Sequence, residues 1–165
     1  MLGVVFAMVC TPSLRGSSFD QSLAVCLDDR VHIGSRAEQA FRQELSLLSG
    51  SMARLMDGSC SESKSIRISI RTHAPAQYET ALGLAHTAGG RVLPAIELFA
   101  INILRTFGRQ VGSERFGRAL AKVAFHELQH YIRQEQHHDA GGLFAPSLSG
   151  TQLLTAVHQR NTTPD

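Results

Sequence analysis

Apolar and polar positions change period several times along this chain, and each change marks an element. Residues 22–27 (SLAVCL) form a short run of β-forming type closed by Asp28-Asp29, the pattern of a buried strand. Behind Ser35, the residues Ala37, Ala40, Phe41, Leu45 and Leu48 recur at helical spacing until Gly50, which predicts an amphipathic helix stopped by a glycine. Ser35 and Glu38 at its start read as a capping box. Residues 52–56 suggest a short strand, and 57–65 are a Gly/Ser-rich loop. Ile66-Arg67-Ile68-Ser69-Ile70 alternates strictly, so one face of that strand enters a core and the other meets polar surroundings.

The second half continues in the same way. Residues 72–78 read as loop, and 81–90 are small and Gly-rich with no readable period. Residues 91–99 predict a strand that Pro94 makes bulged or places at an edge. A helix over 100–107 closes at Gly108. A longer helix opens with Ser113 as N-cap, carries Glu114 near its positive end and runs to about Ile132. Its inward positions are Phe116, Ala119, Leu120, Val123 and Ala124. Ser149-Gly150-Thr151-Gln152 is a second capping box that begins a short helix reaching about Val157. The order predicts an α+β fold with helices packed on one twisted mixed β-sheet.

With 165 residues the chain suits one domain and one core. A formal charge of +2, no Lys/Arg cluster and no tryptophan argue against nucleic acid or an anionic membrane surface as partner. The apolar start, 1–10, is far too short to span a bilayer. It resembles the end of an export signal, with a short first strand as the alternative. Residues 1–20 are therefore taken as a signal remnant or disordered N-terminus, 21–158 as a single folded domain, and 159–165 as a polar tail. This leans toward a secreted or periplasmic setting over a cytoplasmic one. Of the cysteines, Cys26 and Cys60 can pair in an oxidising compartment and leave Cys10 over. Spacing alone does not decide that, because a disulfide depends on Cα separation.

One segment carries explicit chemistry. His126-Glu127-Leu128-Gln129-His130 is HExxH on the predicted long helix. Residues four apart share a helix face, so both imidazoles can grip one Zn2+ ion. Glu127 stands one position round, where a carboxylate can reach a water without being a ligand. A catalytic zinc site needs a third protein ligand. Glu135, His137, His138 and Asp139 follow. A continuing helix carries Glu135 off the ligand face, and periodicity does not choose between His137 and His138. Gly141-Gly142 permits the chain to turn back.

The run HELQHYIRQEQHHDAGGLFAPSLSGTQLL resembles the active-site segment of compact bacterial zincin-type metallopeptidases, relatives of the metzincins. In that pattern a third histidine lies twelve residues after the first, here His138, and a turn follows, here Gly142-Leu143-Phe144. The resemblance implies a zincin-like fold and a metal site of His126, His130 and His138. It further implies Glu127 as general base and a peptide or protein substrate. The longer metzincin consensus places glycine and histidine where this chain has Arg133 and Gln136, and methionine where it has Phe144. A zinc-binding scaffold or interaction domain without turnover is the alternative. Sequence is silent on oligomeric state.

Overall fold

The computed structural model describes residues 22–56, 60, 65–108, 111–138 and 148–155. The predicted N-terminal segment, Cys10, Asp139, the Gly142-Leu143-Phe144 turn and the polar tail lie outside these residues. In chain order the elements are β1 (Leu23–Asp29), α1 (Ser35–Ser49), β2 (Ala53–Leu55) and β3 (Ile66–Arg71). A 3-10 turn (Ala76–Tyr78), β4 (Gly83–Ala88), β5 (Arg91–Phe99), α2 (Ala100–Arg105), α3 (Ser113–Arg133) and α4 (Gly150–Leu154) follow. The strands form one mixed sheet in the order β2-β1-β3-β5-β4. β1 runs parallel to β2 and β3, and β3 parallel to β5. β4 is antiparallel to β5 and forms one edge.

Local chemistry explains this path. A parallel pair needs a crossover, and α1 supplies it between β1 and β2. β4 and β5 instead meet through Gly89-Gly90, with φ +57° and +77°. Two consecutive positive φ angles match the right-handed strand twist in a two-residue hairpin, and glycine adopts them without strain. The unreadable stretch 81–90 is therefore mostly strand. Pro94 sits in a bulged stretch of β5 rather than on an edge strand: pairing to β4 skips between Val92 and Ile96, and pairing to β3 begins at Ala95.

α1 and α3 lie together on one face of the sheet. Val25, Ile66, Ile68, Ile70, Ile96 and Leu98 point into this layer, against Phe41 and Leu45 of α1 and Leu120, Val123 and Leu128 of α3. The expected inward residues of α1 are all buried. Contact between the helices is close enough that a Cβ on Gly117 would collide with the main-chain carbonyl of Ala37. Lys122 is buried on α3, and its ammonium donates to the carbonyls of Gln152, Leu153 and Thr155. It thereby ties α4 to α3 by capping carbonyls that a helix end leaves unpaired. Burial holds its pKa below the ordinary lysine value.

Two expected caps are corrected. Gly34 and Gly112 occupy the N-cap positions, so Ser35 and Ser113 are already helical and neither helix has a side-chain cap. Glu38 pairs with Arg42 at 2.9 Å instead of reaching back. The chain enters α1 through a turn in which the Asp29 carboxylate accepts from Val31 and Ile33 N–H. The box at Ser149 does form: Ser149 Oγ accepts from Gln152 N–H, and Gln152 Oε1 accepts from Ser149 N–H at 2.8 Å. Cys26 and Cys60 are joined in a disulfide, with Cα atoms 5.4 Å apart. Among the described residues no helix is long and apolar enough to cross a membrane.

Candidate metal centre

α3 places His126, Glu127 and His130 on the side of the helix turned toward β4. His126 and Glu127 are buried, with 7% and 8% of their surface exposed, and His130 is half-buried at the last turn. The helix ends at Gln134, whose φ of +54° and ψ of 34° are left-handed. That conformation cannot continue an α-helix, so the chain folds back and returns His138 to the other two histidines.

The three imidazole rings lie against one another. Their centroids are 4.9 Å (126–130), 4.8 Å (130–138) and 5.2 Å (126–138) apart. One ring nitrogen from each lies within 4.8 Å of the others. His126 Nε2 and His130 Nε2 are 3.2 Å apart. Tetrahedral zinc with bonds of about 2.0–2.1 Å has ligand–ligand edges of roughly 3.3 Å, so this pair already has the required spacing. His130 Nδ1 lies 2.8 Å from the Glu135 carbonyl oxygen. A carbonyl only accepts, so Nδ1 carries the proton and Nε2 presents its lone pair toward His126. Burial holds the His138 pKa below the ordinary imidazole value, and the charges of His130 and His137 add to that depression. The neutral, ligating form of His138 therefore persists to lower pH than in an unperturbed histidine.

Glu127 is positioned by the edge strand. Its Oε2 accepts from Ala85 N–H at 3.0 Å. A Cβ on Gly83 would stand 2.9 Å from Glu127 Cγ and 2.8 Å from Val123 Cγ1, so the main chain of β4 rests directly on α3 side chains. Burial raises the Glu127 pKa from 4.5 to about 7, against the opposing effect of the Ala85 N–H. A carboxyl group poised near neutrality can both take and return a proton. His126, Glu127, His130 and His138 line a cleft of about 890 Å³. Gly83, Leu84 and Ala85 of β4 form part of its wall, with Tyr78, Thr106 and Leu148 nearby.

Of the candidate third ligands, His138 joins the cluster and His137 does not, although both are exposed. Glu135 contributes its main-chain carbonyl. Asn102 is buried away from proton chemistry, donating to the Glu79 and Ala81 carbonyls at 2.8 and 2.7 Å. Sequence reasoning missed Gly83, the Ala85 N–H, the Glu135 carbonyl and Gln134. Three of these act through the main chain or the lack of a side chain, which leaves no residue-type signature. Gln134 left one weak signal, a polar residue next to the predicted helix end.

Compared with protein-family models, curated proteins and solved structures, the chain has no significant match. The finding that stands is a cluster of three histidines able to hold a metal ion, beside a buried carboxyl group. The donor set fits such an ion: three nitrogens converge, and one has its outward nitrogen satisfied by a carbonyl.

Proposed function

We propose that the chain is a zinc-dependent metallopeptidase of zincin-like, metzincin-related type that hydrolyses peptide bonds in a peptide or protein substrate. His126, His130 and His138 would hold the metal, and Glu127 would act as general base. The observation that carries the proposal is the convergence of three imidazole nitrogens within 4.8 Å of one another, next to a carboxyl group at the cleft wall. An all-imidazole set with a neighbouring carboxylate suits zinc better than the oxygen-seeking cations.

When bound, zinc supplies Lewis-acid chemistry, polarising a carbonyl and bringing the acidity of water toward neutrality. Glu127 takes the proton from the attacking water and delivers it to the departing amine. The Ala85 N–H holds Oε2 in place, which leaves Oε1 to exchange the proton. Burial raises the Glu127 pKa in the metal-free protein, which favours proton uptake by this carboxylate. β4 supports a peptide as substrate: it is the edge strand and it lines the cleft. An extended chain can add to such an edge through main-chain hydrogen bonds.

The test is Glu127→Gln in the zinc-loaded protein. A hydrolase keeps its metal and loses peptide cleavage by roughly 10²–10⁴-fold, the range for removing a general base. A wild-type protein that holds zinc and cleaves no peptide in a diverse library contradicts the proposal and leaves a zinc scaffold.

A further inference from the structure

We propose that Gln134 is a positioning residue for the histidine cluster. Clamped to the main chain of Val92, its carboxamide holds the turn after α3 in the shape that orients His130 and returns His138. The inference rests on the metal reading above and assigns a part to a side chain outside the ligand set.

Gln134 has φ +54°, and His32 is the other non-glycine with positive φ among the described residues. Side chains with a Cβ rarely adopt this region, where glycine sits at no steric cost. Something must therefore hold glutamine there. Its side chain makes three hydrogen bonds: Oε1 accepts from Val92 N–H at 3.1 Å, and Nε2 donates to the Val92 carbonyl at 3.2 Å and the Tyr131 carbonyl at 2.8 Å. One carboxamide thus satisfies both polar groups of Val92, as a neighbouring strand would, and also takes a carbonyl from the end of α3. The helix terminus is tied to β5 at the residue where β5 pairs with Thr87 of the cleft-lining strand.

The next residue transmits this placement. Glu135 N–H donates to the His130 carbonyl at 3.2 Å, and the Glu135 carbonyl accepts from the His130 ring at 2.8 Å. Glu135 therefore grips His130 by its main chain and its imidazole together. A helical residue at 134 would continue α3 and carry that carbonyl away from the ring. The anchor on Val92, the left-handed turn, the Glu135 carbonyl and the His130 tautomer form one connected chain of contacts.

The deciding experiment uses the full chain with Gln134→Gly and Gln134→Met. Glycine favours the turn conformation but deletes the carboxamide, whereas methionine keeps the bulk and deletes the hydrogen bonds. Two quantities are read: the His130 tautomer in the metal-free protein, from ring nitrogen NMR at about pH 8 where imidazole is neutral, and zinc affinity by competition with a chromophoric chelator. In the wild type His130 carries its proton on Nδ1. In both variants the expected result is a mixture of tautomers and zinc affinity weaker by roughly tenfold. That lies at the low end for a contact supporting a ligand, because Gln134 is exposed. The metal-free unfolding midpoint is expected to stay near wild type. If Gln134→Gly keeps a single tautomer and full affinity, the backbone alone makes the turn and the proposal is overturned. A loss of affinity matched by an equal loss of global stability in both variants overturns it as well. A wild type that takes up no zinc removes the metal reading, yet the tautomer comparison still decides the role of Gln134.

Discussion

Replacing Gly83 by alanine adds one methyl group at the place where β4 touches α3. The new Cβ would lie 2.8 Å from Val123 Cγ1, 2.9 Å from Glu127 Cγ and 3.0 Å from Glu127 Oε1. Ordinary carbon contacts are about 3.5–4.0 Å, so strand and helix must separate by roughly 0.6–1 Å or Glu127 must swing aside. Either movement breaks the 3.0 Å bond from Ala85 N–H to Glu127 Oε2. Overpacking of this kind costs about 1–3 kcal/mol. A buried carboxyl group losing its donor costs about another 1–3 kcal/mol. Alanine recovers about 0.5–1 kcal/mol through lower unfolded-state entropy. The net expectation is a loss of about 3 kcal/mol in urea unfolding of the metal-free protein. On the proposed reading of Glu127 as general base, peptide cleavage should fall further than stability, on the order of 10²-fold, because a base displaced by about 1 Å loses its geometry. Zinc content should be retained, since no ligand is touched. A Gly83→Ala protein as stable and as active as wild type would refute the claim that β4 sets the position of Glu127.

Three more predictions follow from other contacts. Gly117→Ala should destabilise by about 3 kcal/mol or more, at the upper end of overpacking, because the added Cβ meets the main chain of Ala37. Helix propensity alone predicts a gain of about 1 kcal/mol, so the sign of the change in an unfolding titration decides. In metal-free protein, Glu127 adds stability that is fully present below its unfolded pKa of 4.5 and lost as pH rises through about 7. The shift corresponds to about 3 kcal/mol, read as the difference between wild-type and Glu127→Gln unfolding at several pH values. A difference that does not change with pH contradicts this. Reducing the Cys26–Cys60 disulfide, which spans 34 residues, should lower stability by about 3–4 kcal/mol through release of the unfolded chain. An unchanged urea midpoint in reductant would count against that contribution.

How much was legible depended on whether a side chain or the main chain carried the information. The α1 face of Ala37, Ala40, Phe41, Leu45 and Leu48 was readable because burial of each follows the helical period. Strand β3 was readable for the same reason with a period of two. β4 was not: Gly83 is small because α3 side chains press on it, and Ala85 acts through its main-chain N–H, demands without periodic trace. The serine caps at 35 and 113 went astray because the preceding glycines took the cap position, and serine is acceptable one step inside a helix. For the site, HExxH gave the pair His126 and His130. His138 was separated from His137 only by resemblance, since the turn that brings it back is made by a left-handed glutamine anchored on a distant strand. The Cys26–Cys60 pairing was open in sequence because it depends on how close β1 lies to the loop before β3.

The central claim is that three imidazoles of this chain take one metal ion together. X-ray absorption spectroscopy of the zinc-loaded protein, with metal analysis of His137→Ala and His138→Ala, addresses it most directly. The account predicts one zinc per chain with three nitrogen neighbours at about 2.0–2.1 Å, kept in His137→Ala and strongly depleted in His138→Ala. Full zinc occupancy in His138→Ala, or none in the wild type, would contradict it.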